Sequence, residues 1–99
     1  MKISLTEMAE RAAEAEIFLK QLGNANRLMI LCVLTEGELS VGDLNERIPL
    51  SQSALSQHLA KLREAGFVAT RKESQTVYYQ LSDPRVETLI QNLYKIFCD

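Results

Sequence analysis

Between Pro49 and Gly66 the chain leaves few folding choices open. Proline disfavours helix in the residue before it, so Ile48-Pro49-Leu50 reads as a turn. Ser51 is a helix-capping residue, and Leu55, Leu59 and Leu62 recur at helical spacing until Gly66 ends the run. Directly afterwards the period falls from helical to two. Phe67-Val68-Ala69-Thr70-Arg71 and Thr76-Val77-Tyr78-Tyr79-Gln80-Leu81 read as strands, with polar Lys72-Glu73-Ser74-Gln75 as the hairpin tip between them. Upstream, Ser40-Val41-Gly42-Asp43 has the Ser-x-x-acid form of a helix start, and a short helix to about Arg47 turns Val41, Leu44 and Ile48 inward. Two helices joined by a tight turn and followed by a hairpin make a winged helix-turn-helix.

The flanks complete a mainly α chain with a small β-hairpin, in the order α-α-α-α-β-β-α. Residues 5–22 carry Leu5, Met8, Ala9, Ala12, Ala15, Phe18, Leu19 and Leu22 at helical spacing, and Gly23-Asn24 breaks that helix. The next, from Ala25 to about Thr35, is apolar nearly all round and belongs in the core. Asp83-Pro84 opens a last helix to Phe97 with Val86, Leu89, Ile90, Leu93, Ile96 and Phe97 apolar. No repeat or linker interrupts the 99 residues, so 1–99 is expected to form one domain. So small a chain struggles to cover the apolar faces of helices 5–22 and 84–98, which predicts a homodimer packed through them.

The outward face of the helix at 51–65 shows Ser51, Gln52, Ser53, Ser56, Gln57 and Lys61. Short hydrogen-bonding side chains near a helix N-terminus suit base edges in the major groove of double-stranded DNA. An ordinary solvated face is the alternative reading of the same residues. Arg71, Lys72 and Thr76 on the hairpin are placed to meet phosphate or the minor groove. The formal charge of −2 opposes nucleic-acid binding taken globally. Between 51 and 80, however, Lys61, Arg63, Arg71 and Lys72 outnumber Glu64 and Glu73, and phosphate contacts follow local potential.

Other functions find little support. No apolar run approaches a membrane span, the charged N-terminus does not read as a signal peptide, and a cytoplasmic location is expected. No nucleophile–base–acid set or phosphate-binding glycine loop suggests an enzyme, and no cofactor is expected. The one histidine, His58, is read as a packing or structural residue ahead of a base contact, and alone it has too few partners to hold zinc. Cys32 and Cys98 read on general grounds as reduced, inert core thiols.

The runs Gly37-Glu38-Leu39-Ser40-Val41-Gly42-Asp43-Leu44, Leu50-Ser51-Gln52-Ser53-Ala54-Leu55-Ser56-Gln57-His58-Leu59 and Leu62-Arg63-Glu64-Ala65-Gly66 resemble the ArsR/SmtB family of bacterial winged-helix repressors. The resemblance extends from about Leu19 to the C-terminus. It implies a homodimer on an inverted-repeat operator, released by an inducer. Where the arsenic-type members carry two cysteines this chain has Ser40 and Gly42, which cannot bind a soft metal. Where the zinc-type members carry Asp-x-His it has Asp83-Pro84-Arg85, so no metal site is expected at either place. Ile30-Leu31-Cys32, Ile96-Phe97-Cys98 and the wing Glu73-Ser74-Gln75-Thr76-Val77-Tyr78-Tyr79 are similar to the HlyU and BigR type within that family. That likeness implies that Cys32 and Cys98 form a dithiol sensor, linked by reactive sulfur species or by oxidant. Two alternatives stay open: a metal-sensing repressor using a different site, and a winged-helix module that binds protein.

Overall fold

A computed structural model describes residues 1–98. The elements are α1 (Leu5–Leu22), α2 (Ala25–Leu34), β1 (Leu39–Ser40), α3 (Val41–Arg47), α4 (Gln52–Glu64), β2 (Val68–Glu73), β3 (Thr76–Leu81) and α5 (Pro84–Cys98). The fold is mainly helical with a small antiparallel sheet in winged-helix order, as the patterning predicts. No single helix among the described residues is long and apolar enough to cross a membrane, and α1 and α2 meet at a bend of 88°.

Helix starts follow from short polar side chains. Ser4 Oγ accepts from the Glu7 amide, Asn24 Oδ1 from those of Asn26 and Arg27, Ser40 Oγ from that of Asp43, and Ser51 Oγ from that of Ala54. Each satisfies amides that the first helical turn leaves without partners. The end of α4 depends on Gly66, whose φ of +80° lies in the left-handed region open to glycine. That conformation lets the Gly66 amide reach the Arg63 carbonyl at 3.0 Å and the Phe67 amide the Leu62 carbonyl at 2.9 Å. Phe67 and Leu62 are both buried beneath this pair of bonds, which makes it a Schellman stop that turns the chain straight into the wing.

The core gathers Ile30, Leu31 and Leu34 of α2, Leu44 and Ile48 around α3, Leu55, Leu59 and Leu62 of α4, Phe67 and Val68, and Val86 and Ile90 of α5. The stripe expected on α4 is fully inaccessible to solvent. The turn between α3 and α4 is tied by Asn45 Nδ2, which donates to the Leu50 carbonyl at 2.8 Å.

Two features of the sheet depart from the sequence reading. The hairpin tip is two residues long, not four: pairing continues to Glu73↔Thr76, leaving Ser74-Gln75 as the turn with Ser74 at φ 56°. Lys72 and Glu73 therefore lie within β2 and not in the tip. The second departure is a third strand: β1 pairs with β3 through Leu39↔Tyr79 and Ser40↔Tyr78, giving the order β1-β3-β2.

Candidate nucleic-acid interface and thiol groove

Helix α4 buries one face and leaves another bare. Leu55, Leu59 and Leu62 seat it on the core, while Ser51, Gln52, Ser53, Ser56, Gln57 and Lys61 are all exposed. Gln52, Ser53, Ser56 and Gln57 fall at spacings of three and four, which set them on one side of the first two turns. Ser51 Oγ is occupied by its cap bond and lies 3.4 Å from Ser53 Oγ, so it is less free to meet a base than the glutamines.

On the wing, Lys72 and Thr76 are exposed. Arg71 is committed within the chain. It donates to both oxygens of Glu38 at 2.7 and 3.1 Å and to Glu73 at 2.6 Å, and its guanidinium lies 4.6 Å from the centre of the Tyr78 ring. The hydrogen bonds donated by Arg71 hold the Glu38 carboxyl below the usual carboxylate range, and donating to Glu38 and Glu73 raises the pKa of the guanidinium in turn. Any phosphate meeting Arg71 competes with two carboxylates already in place.

His58, read from the sequence as a packing or structural residue, is half-buried on α4. Its Nδ1 accepts from Arg27 Nε of α2 at 3.4 Å. Sequence patterning did not single out Arg27, because the two residues stand 31 positions apart and no local spacing links them.

Cys32 is half-buried on α2 and Cys98 exposed at the end of α5, both as free thiols. The α2–α5 contact brings the two to one place. Together they line an apolar groove of about 290 Å³ whose wall includes Leu28, Met29, Leu93 and Phe97. Asp83, at the acid of the expected zinc-type position, is engaged otherwise: it accepts from the Arg85 amide at 2.9 Å and from its guanidinium at 2.8 Å. Those bonds hold its carboxyl below the ordinary value. Among the described residues no three side chains of the His, Cys, Asp and Glu types gather as a ligand set.

Much apolar surface is left uncovered on the terminal helices. Leu5 is 80% exposed, Ile96 69% and Phe97 79%, with Met8, Ile17, Leu19 and Tyr94 also out of the core, as is Met29 of α2.

The model of the bacterial regulatory protein, arsR family, matches residues 24–70, a span from the start of α2 into the wing. The transcriptional activator HlyU of Vibrio cholerae is 52% identical over 97% of this chain and 89% of its own length. A biofilm growth-associated repressor of Agrobacterium fabrum is 45% identical, over 98% of this chain and 83% of its own. The crystal structure of the transcriptional repressor BigR from Xylella fastidiosa superposes with a TM-score of 0.92 at 41% identity, covering 98% of this chain and 99% of that one. These relatives are transcriptional regulators, and with such identity along nearly its whole length this chain belongs to the ArsR family, on its HlyU- and BigR-like side.

Proposed function

We propose that the protein is a homodimeric repressor that reads an inverted-repeat operator and lets go when Cys32 and Cys98 become linked. The observation that carries the switch is the shared groove: two thiols on different helices line one apolar hollow between α2 and α5. Dimerisation is supported by the exposed apolar residues of α1 and α5, which a second copy would cover. The base-directed contacts are assigned to Gln52, Ser53, Ser56 and Gln57. Phosphate or minor-groove contacts are assigned to Ser51, Lys61, Lys72 and Thr76, with Arg71 available only by exchange of its carboxylates.

The more exposed thiol meets reagent first. The Cys98 thiolate attacks the outer sulfur of a low-molecular-weight persulfide, RS–SH, and RS⁻ leaves, giving Cys98–S–SH. The Cys32 thiolate then attacks the Cys98 sulfur and expels HS⁻, leaving a Cys32–Cys98 disulfide. The two electrons lost by the protein thiolates reduce the persulfide to thiolate and hydrosulfide. With peroxide the first product is a sulfenic acid and the second step releases water. A bond between α2 and α5 alters how the terminal helix sits on the core, and with it the separation of two reading heads in a dimer.

The test is fluorescence anisotropy on the gene's own upstream duplex, before and after glutathione persulfide. Affinity that falls about 5- to 150-fold, the usual span of allosteric coupling, returns with reductant and is insensitive in Cys32→Ser supports the switch. Tight binding unchanged by persulfide removes the switch and keeps the DNA reader. No salt-dependent binding to any duplex removes both.

A further inference from the structure

The inference here rests on the reading that the chain binds DNA, and concerns a residue outside the helix-turn-helix and wing contacts assigned so far. Four arginines find carboxylates among the described residues: Arg11 with Glu14, Arg47 with Glu36, Arg71 with Glu38 and Glu73, and Arg85 with Asp83. Arg63 lies exposed in water. Arg27 differs from all of them, being half-buried without an anion. Its Nε donates to His58 Nδ1, and its Nη1 to the carbonyl and side-chain oxygens of Gln21 at 3.3 and 3.0 Å. None of the three acceptors carries a negative charge. Nη2 has no partner among the described residues.

A partly desolvated guanidinium is held at a cost unless an anion meets it. The surroundings show where one can enter. Gln21, Arg27, Lys61, Glu64 and Ala65 line a polar surface hollow of about 340 Å³ between the start of α2 and the second half of α4. Lys61 stands one helical turn beyond Gln57, so the hollow borders the face assigned to base reading. Glu64 reduces the positive potential there, and it makes no ion pair within 4 Å with Arg27 or Lys61.

We propose that this hollow seats one DNA backbone phosphate in each subunit, held by Arg27 Nη2 and the Lys61 ammonium. The remaining bonds of the guanidinium, to Gln21 at the end of α1 and to His58 on α4, fix its fork in place before DNA arrives. A phosphate held there carries no sequence information. It sets the rotation and depth of α4 in the groove, which is what backbone contacts contribute to a protein–DNA interface. Arg27 is thus both a backbone clamp and, through His58, a positioning residue for the reading helix.

The experiment compares wild type, Arg27→Gln, Arg27→Lys, Lys61→Gln and Glu64→Gln on operator and random duplexes across a potassium chloride series. Giving up one neutralised phosphate per subunit lowers the slope of log affinity against log salt by about 2 in a dimer, at about 0.9 per phosphate. Arg27→Gln is expected to show that drop and to weaken both duplexes by a similar factor. Arg27→Lys keeps the charge and the slope. Glu64→Gln binds both duplexes more tightly, a gain that damage to the fold does not mimic. An Arg27→Gln protein that folds and binds with the wild-type slope overturns the phosphate site. Should Arg27→Gln fail to fold, Lys61→Gln with an unchanged slope, or Glu64→Gln with no gain, overturns it. Wild type that binds no duplex in a salt-dependent way overturns the DNA-binding reading instead.

Discussion

The segment from Ser40 to Leu81 and the terminal helices solve the same burial problem differently. In the first, α3 and α4 are capped by their own serines, and Leu44, Ile48, Leu55, Leu59 and Leu62 are sealed from solvent by the chain itself. In the second, α1 buries Leu22 alone over 18 residues, and α5 buries only Val86 and Ile90 while Ile96 and Phe97 stand in water. Local sequence closes the helix-turn-helix and its wing, whereas the terminal helices leave apolar surface open that the proposed dimer would cover. The proposed sensor sits at the joint between these two regimes, on α2 and α5.

The contrast is broken most sharply by deleting apolar bulk on each side. Leu59→Ala should cost about 2–5 kcal/mol in urea unfolding. Phe97→Ala should leave the unfolding of dilute protein within about 0.5 kcal/mol but lower the mass seen in sedimentation. Equal losses at both sites would erase the distinction.

Next in size, Gln57→Ala should lose about 1–3 kcal/mol on the operator and relax its specificity, leaving unfolding unchanged. An equal loss on random DNA would take Gln57 out of the base-reading set.

Asp83 probes the hinge into α5. Its side chain caps the helix that starts with Pro84, so Asp83→Ala should destabilise by about 1 kcal/mol at neutral pH. Hydrogen bonds from Arg85 hold the folded carboxyl below its ordinary value near 3.8. The unfolded chain therefore takes up the proton first as pH falls, and the carboxylate's contribution is present above that value and lost on descending through the folded one. Unfolding of wild type and variant should converge in that acid window. A gap constant down to the lowest accessible pH would show that the charge contributes nothing.

The smallest effect is expected at the wing. Lys72→Ala should weaken operator and random DNA alike and reduce the salt slope by about 1 for each phosphate it no longer neutralises. A loss confined to the operator would make Lys72 a reader of sequence, bringing wing and α4 into one class.

What could be read from the chain follows the range of the interactions involved. Ser51, the leucines at 55, 59 and 62 and Gly66 act over one to four residues, and they place α4 and its stop correctly. The turn at Ser74-Gln75 is equally local, but it lies in a polar run where alternation fades, and the strand register had to come from cross-strand pairing. Leu39-Ser40 is too short to show any period, so β1 is visible only through its partners on β3. The ion pair of Arg71 with Glu38 and the contact of Arg27 with His58 join residues 33 and 31 positions apart. Sequence alone therefore places Arg71 with the wing contacts and does not show its carboxylate partners. The groove that Cys32 and Cys98 share has no local signature either, and only the resemblance of their two short contexts to the HlyU and BigR type links the two thiols in sequence.

The pairing of β1 with β3 has a consequence beyond the sheet. Leu39 and Ser40 lead directly into α3, whose turn leads into α4, while Tyr78 and Tyr79 opposite them belong to the returning arm of the wing. The stretch of chain before α3 and the arm after the tip are thus stitched to each other, and Glu38 extends the seam through Arg71. A wing held at its base in this way cannot fold up or swing out without tearing the stitch. On the proposed operator, each head of the dimer would then act as a gauge of set width, able to be carried along the double helix but not to change the length of sequence it measures.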